Sequence, residues 1–500
     1  MRHANIIGGA FAVAVGVLLG GPALAAEWPD DCQEATLPSN DPNYPDAQQI
    51  LTCLPQDFNG TLIIYAHGYV KPQEPLALPE EFGEADVRDL VEQLLDLGFG
   101  VATSSYHKNG YAVEQAEADL NDLVAYIGSI EPDVEAVFVI GASEGALIAT
   151  MLVEKYPETY AGGLALCGPL AGTRYQVAHL ADVRVLFDYF YPGVFPFGAL
   201  DVPDDAGAQW DGPDGFKDKI AAAVQEDPDA IAQVFDVAGV ACDAADHDVA
   251  ANCAQNILAY SVFGTNDLLE TAGGWPVRNV EKEYSGSVDD AALNAGVQRF
   301  DADPAASAYA DLYYRPSGLL QRPLVTLHTT RDPGVPFRHE LIYFNRAALS
   351  GTDDLLTVLP VDRAGHCAFK AQEVVGGLGA LLLKSDSDLV LALVDPLKAL
   401  HGIVDVDVGA GRLAELVQGQ ASAFLDQLEN EFGLLEDARH GATDALDAVT
   451  DLVGNAGDAA EEGLDAVTDL GGKAGDAAED AIDPVKDWGD EAKDTIKDLF

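Results

Sequence analysis

The chain has 500 residues, 48% of them hydrophobic and 22% charged, and 27 Lys and Arg face 83 Asp and Glu for a formal net charge of −56. That length allows roughly two to four structural units, and the apolar fraction excludes wholesale disorder. The acidic excess excludes a basic face that would bind nucleic acid or dock on anionic lipid. It suits a salty habitat, where dissolved salt screens carboxylate repulsion, although an ordinary acidic secreted protein has the same character.

The first element is a leader. Met1-Arg2-His3 precedes an apolar run from Ile6 to Leu19, and Pro22-Ala23-Leu24-Ala25-Ala26 supplies small residues for cleavage after Ala25. Residues 1–25 therefore read as a secretory signal peptide, with an uncleaved anchor as the alternative. No later run reaches the ~18 apolar residues of a membrane helix, so no membrane span is expected and the location is secreted or periplasmic. Six cysteines in an exported chain should pair. Spacing favours Cys32 with Cys53 and Cys242 with Cys253, which leaves Cys167 with Cys367, two separate buried thiols being the alternative for that last pair. There is no CxxC pair and no HExxH, so no metal is expected.

Residues 26–167 alternate short apolar runs with helical periodicity, the pattern of a parallel α/β sheet. Strands are predicted at Thr61–Ala66, within Gly98–Tyr106, at Ala136–Ile140 and at Gly163–Cys167, with helices over Val113–Ile130 and Gly145–Tyr156. Residues 168–321 then change to helices, loops and aromatic clusters, an expected cap insertion. Within it Phe187, Tyr189, Phe190, Tyr191, Phe195 and Phe197 crowd together as the insertion's own core, a substrate-facing wall being the alternative. Strand character resumes in 322–385, at Pro323–His328 and Leu355–Leu359. Residues 386–440 read as a helical extension. Residues 441–500 form an acidic tail in which LDAVTDLVGNAGDAAEEG at 446–463 is nearly repeated at 464–481. Eighteen residues are five helical turns, so the tail reads as a glycine-weakened amphipathic helix or a solvated extension. Its partner is not readable.

The chemistry gathers in the sheet segments. Gly141-Ala142-Ser143-Glu144-Gly145 lies between an apolar strand and an apolar helix, as a nucleophile elbow requires. Gly141 and Gly145 permit the tight turn, and Ser143 is the candidate nucleophile, a tight turn with an incidental serine being the bland reading. A serine needs a base and an orienting acid. Asp332, after the strand ending at Leu327, and His366, after the strand ending at Leu359, follow in the order Ser, acid, His. Asp362 is the reserve acid. The backbone N–H groups of Tyr69 and Glu144 are the expected oxyanion hole. His67, at a strand end before glycine, reads as a loop-shaping residue and not as a second base.

HGY at 67–69, GASEG at 141–145, RDP at 331–333 and GHC at 365–367 resemble the α/β-hydrolase superfamily over about residues 61–369. Among its branches the chain is similar to secreted esterases and prolyl-oligopeptidase-type hydrolases. The resemblance implies an α/β-hydrolase sheet with a large, mainly helical cap and a serine hydrolase activity, with no cofactor and no metal. Gly68-Tyr69 replaces the glycine-rich oxyanion loop of HGGG esterases, which points away from lipases, and no propeller repeat precedes the catalytic part. The expected reaction is cleavage of carboxylic esters through an acyl-enzyme on Ser143, on an extracellular or polymeric ester substrate. The alternative is a serine peptidase of the same fold, prolyl-oligopeptidase-like or an exopeptidase. A third reading is a non-catalytic binding protein.

Overall fold

A computed structural model describes residues 28–29, 31–39 and 41–385. The expected signal peptide, the expected 386–440 helical extension and the repeat tail lie outside them. The first part of the chain builds β1 (Cys32–Leu37), β2 (Gln48–Cys53), β3 (Thr61–Ala66), α1 (Ala85–Asp96), β4 (Gly100–Ser104), α2 (Val113–Ile130), β5 (Ala136–Ala142), α3 (Glu144–Lys155) and β6 (Gly162–Leu166). Seven helices follow: α4 (Thr173–Phe190), α5 (Phe216–Glu226), α6 (Pro228–Ala238), α7 (His247–Phe263), α8 (Thr265–Ala272), α9 (Asp290–Gly296) and α10 (Pro304–Tyr313). Then come β7 (Leu324–Arg331), α11 (Arg338–Ser350), β8 (Leu356–Ala364) and α12 (Ala371–Ser385).

The strands form one sheet in the order β1-β2-β4-β3-β5-β6-β7-β8. Pairing is parallel from β4 to β8, and β2 runs antiparallel to both β1 and β4. Alternate residues of β3 serve opposite faces, as a period of two demands. Leu62, Ile64 and Ala66 join the core with α2, α3 and α11, whereas Ile63 joins the core with α1 and α12. Helix α3 is buried all round, from Glu144 to Glu154, which explains its nearly unbroken apolar text.

The sequence starts the sheet at Thr61, and the structure starts it at Cys32. The connection from Pro38 to Asp46 is rich in Pro, Asn and Asp and hides two short strands. β1, CQEATL, carries Gln, Glu and Thr because it is an edge strand, where polar side chains discourage further pairing. Cys32 lies directly opposite Cys53 and is bonded to it.

In the inserted helices the acidic composition has a local use. The side chains of Asp227, Asp246, Asp289 and Asp303 each accept backbone N–H groups at the start of α6, α7, α9 and α10. Each such cap contributes about 1 kcal/mol. The aromatic cluster is a core and not a wall: Phe187, Tyr191 and Phe195 are buried, and Phe195 and Phe197 pack on Phe216. The buried Arg184 guanidinium lies 4.1 Å from the Phe195 ring. Cys242, ahead of α7, is bonded to Cys253 within it.

Candidate active site

The β5–α3 turn is built by close backbone approach. A β-carbon on Gly141 would lie 1.9 Å from the carbonyl oxygen of Gly145, and one on Gly145 would lie 2.0 Å from that of Ala66. Neither position tolerates a side chain. Ser143 takes φ 56° and ψ −121°, a conformation that costs a non-glycine residue about 1–3 kcal/mol. Its N–H donates to the Leu166 carbonyl at 2.9 Å, and its carbonyl accepts from the Ala146 N–H at 3.0 Å. The strained turn is thereby tied to β6 on one side and α3 on the other.

Two loops at the C-terminal ends of β7 and β8 meet this serine. His366 Nε2 is 2.9 Å from Ser143 Oγ, and His366 Nδ1 is 2.7 Å from Asp332 Oδ2. The Asp332 side chain is fully buried, and its Oδ1 accepts the N–H groups of Gly334 and Val335, both at 2.9 Å. Burial opposes its charge, but His366 and His328 outweigh that and hold the carboxyl well below the usual aspartate range. The side chain of Asp362 is 79% exposed and pairs with Arg331 at 3.4 Å, so the reserve acid faces solvent instead of the imidazole.

The histidine loop is fastened by two hydrogen bonds and a disulfide. Gly365 N–H donates to the Arg331 carbonyl, and Thr329 Oγ1 donates to the Gly365 carbonyl at 2.6 Å. Cys367, the next residue after His366, is bonded to Cys167, just beyond β6. Both cysteines are buried and take φ 51°. Ligand-type atoms of Cys167, His366 and Cys367 lie within 4.8 Å of one another, but the two sulfurs are bonded together and offer no thiolate.

The loop after β3 closes the front. A β-carbon on Gly68 would lie 3.3 Å from Ser143 Cβ, so HGY passes directly against the nucleophile. His67 is buried, stacks on Tyr106 at 3.9 Å and keeps Nδ1 within 2.7 Å of the Gly68 carbonyl, a geometry that shapes the loop. The Tyr69 ring packs against Tyr111 and Tyr260. Glu144 turns its side chain inward, where burial raises its pKa to about 8 against the pull of Lys108.

Sequence reading misses a layer behind Asp332. His328 on β7 and Glu340 on α11 are fully buried, with Nδ1 of the former 3.0 Å from Oε1 of the latter. Gln176 on α4 donates to the Gly334 carbonyl at 2.7 Å, and its Oε1 accepts from His339 Nε2 at 2.9 Å. The histidine four residues before the acid is the one legible signal, and a histidine inside an apolar strand has many other uses.

Strand order, elbow, acid loop and histidine loop together define an α/β-hydrolase fold. Solved structures similar to the chain include an esterase of Pyrococcus furiosus, at 13% identity and a TM-score of 0.38, covering 74% of this chain and 97% of the esterase. An acylaminoacyl peptidase of Pyrococcus horikoshii is similar at 10% identity and a TM-score of 0.34, covering 67% of this chain and 37% of the peptidase. The chain thus spans just over a third of that peptidase's length. No family model and no curated protein matches the sequence.

Proposed function

We propose that the chain is a secreted serine hydrolase that cleaves carboxylic esters through an acyl-enzyme on Ser143. The hydrogen-bonded series Ser143 Oγ, His366 Nε2, His366 Nδ1 and Asp332 Oδ2 carries this reading. Ser143 Oγ attacks the ester carbonyl while its proton passes to His366 Nε2. The tetrahedral oxyanion is met by the N–H groups of Tyr69 and Glu144. Collapse expels the alcohol, which takes the proton from His366 and leaves the acyl group on Ser143. Water then attacks the acyl-enzyme, gives its proton to His366, and releases the acid as that proton returns to Ser143. Asp332 fixes the imidazole tautomer throughout and stays ionised.

The alternative is a peptidase using the same residues on amide bonds. An exopeptidase needs a carboxylate to hold the substrate's amine, and Glu144, adjacent to the nucleophile, is buried with its side chain turned inward. That favours the ester reading. A panel of p-nitrophenyl esters beside aminoacyl and prolyl p-nitroanilides tests it: ester turnover should dominate, and faster anilide release would hand the site to the peptidase. Disulfide bonding of all six cysteines supports export, and N-terminal sequencing of the exported protein should begin at Ala26. The excess of carboxylates supports a salty habitat. The thermal midpoint should rise from dilute buffer toward molar NaCl, and a flat or falling midpoint would count against it.

A further inference from the structure

Behind the acid lies a second histidine whose surroundings dictate its state. His328 Nε2 is 2.9 Å from the Val335 carbonyl oxygen, which can only accept a hydrogen bond. Nε2 therefore carries a proton. Nδ1 faces Glu340 Oε1 at 3.0 Å, and the other Glu340 oxygen accepts the Thr326 hydroxyl at 2.6 Å. With Glu340 ionised, acceptors stand at both ring nitrogens, and the ring is then satisfied as an imidazolium. Asp332 Oδ2 lies 3.6 Å from Nε2, inside ion-pair range.

We propose that His328 is a positioning residue of this site, a doubly protonated imidazolium balanced by Glu340 that holds the Asp332 carboxylate in place beneath His366. The inference rests on the serine-hydrolase reading above. The mechanical link is one residue: Val335 accepts from His328 through its carbonyl and donates to Asp332 through its N–H. The electrostatic link is the imidazolium itself, which compensates a carboxylate with no exposed surface. Burial works against the charge on His328, but the attraction of Asp332 and the hydrogen bond and charge of Glu340 win and raise its pKa to about 10.

The neighbours on every side are consistent with one charged ring. His339 on α11 is neutral, because its Nδ1 accepts from the Ala171 N–H and its Nε2 donates to Gln176. Burial and the charge on His328 push its pKa well down. The Phe337 ring meets His328 edge-on at 5.7 Å and contributes no charge. Beyond Asp332 stand His366 and, on α4, the buried His179, whose pKa falls to about 4 by burial and the nearby Arg338.

Two measurements test this. In the intact, folded chain, the imidazole nitrogen shifts of His328 should show both nitrogens protonated throughout about pH 6 to 8, well below its own pKa. In kinetics, the acid limb of kcat/KM reports the base, His366. His328→Gln removes a positive charge and should move that limb up by roughly one pH unit, whereas Glu340→Gln removes a negative charge and should move it down. The double variant should return it toward the wild-type position. A merely structural role would lower kcat in both without opposite shifts. One protonated nitrogen at neutral pH, or a limb unmoved in both variants, overturns the proposal. If a variant does not fold, the nitrogen shifts of the unchanged chain decide. Wild-type turnover in Ser143→Ala would instead bring down the triad reading, and the positioning role with it.

Discussion

The nucleophile and the acid are held in place by different physics. Ser143 is fixed by backbone: two glycines that admit no β-carbon, a φ of 56° and hydrogen bonds to β6 and α3. Asp332 is held by the N–H groups of its own loop, and that 332–335 loop is braced by side chains drawn from three elements: His328 on β7, Gln176 on α4, and His339 and Glu340 on α11. A backbone device is compact in sequence and has almost no tolerance. A side-chain device is spread along the chain, and its failure can be graded.

The largest effect should come from the backbone-held side. Ser143→Ala should lower kcat on the best ester of the panel about 10⁶-fold, with the circular dichroism spectrum unchanged. Residual turnover of more than about 1% of wild type would mean that another group attacks the substrate. Next comes the acid, on its side-chain-braced loop. Asp332→Asn should cost about 10⁴-fold in kcat, because the wrong imidazole tautomer then faces Ser143. Asp362→Asn, at a solvent-facing carboxylate, should stay within about twofold. An active Asp332→Asn beside a dead Asp362→Asn would reverse the assignment of the acid.

The same contrast explains what was legible. G-x-S-x-G is readable because all its constraints fall on five consecutive residues between a strand and a helix. Asp332 and His366 are readable because topology places them after successive strands in a fixed order. Neither His328 nor Glu340 can be paired from sequence, since a helical turn of α11 brings them together and a buried charged pair resembles any polar residue in an apolar run. Strand β1 is missed for the opposite reason: an edge strand is polar because it is an edge, and its text looks like a loop.

Between the two modes stands the Cys167–Cys367 bond, which joins the strand beside the elbow to the histidine loop. Replacing both cysteines with alanine should lower stability by about 2–4 kcal/mol, read from urea midpoints. Turnover should fall by up to about 10²-fold, since a drift of about 1 Å in the base is enough. Two other fastenings of that loop, Gly365 to Arg331 and Thr329 to Gly365, keep it from opening fully. Lost stability with unchanged kcat would assign the bond to the fold and not to the site.

The smallest effect separates the backbone of Glu144 from its side chain. Glu144→Gln keeps the N–H assigned to the oxyanion hole and removes only a buried carboxyl, so ester turnover should barely change. Stability should change with pH. In the folded chain this group titrates near 8, against 4.5 when free, mainly through burial and against the pull of Lys108. Above about pH 4.5 the unfolded chain sheds a proton that the folded chain retains, so folding loses stability as pH rises until about pH 8 and then levels off. Glutamine cannot titrate, and the variant's urea midpoint should gain on the wild type between about pH 5 and pH 8. Glu117 has the same sense of shift but is unaltered in both proteins, so it cancels in the difference. An equal gap at both pH values would mean that Glu144 is ionised throughout. The charge of Lys108 would then outweigh burial, and the inward-facing carboxyl would be paired and not neutral.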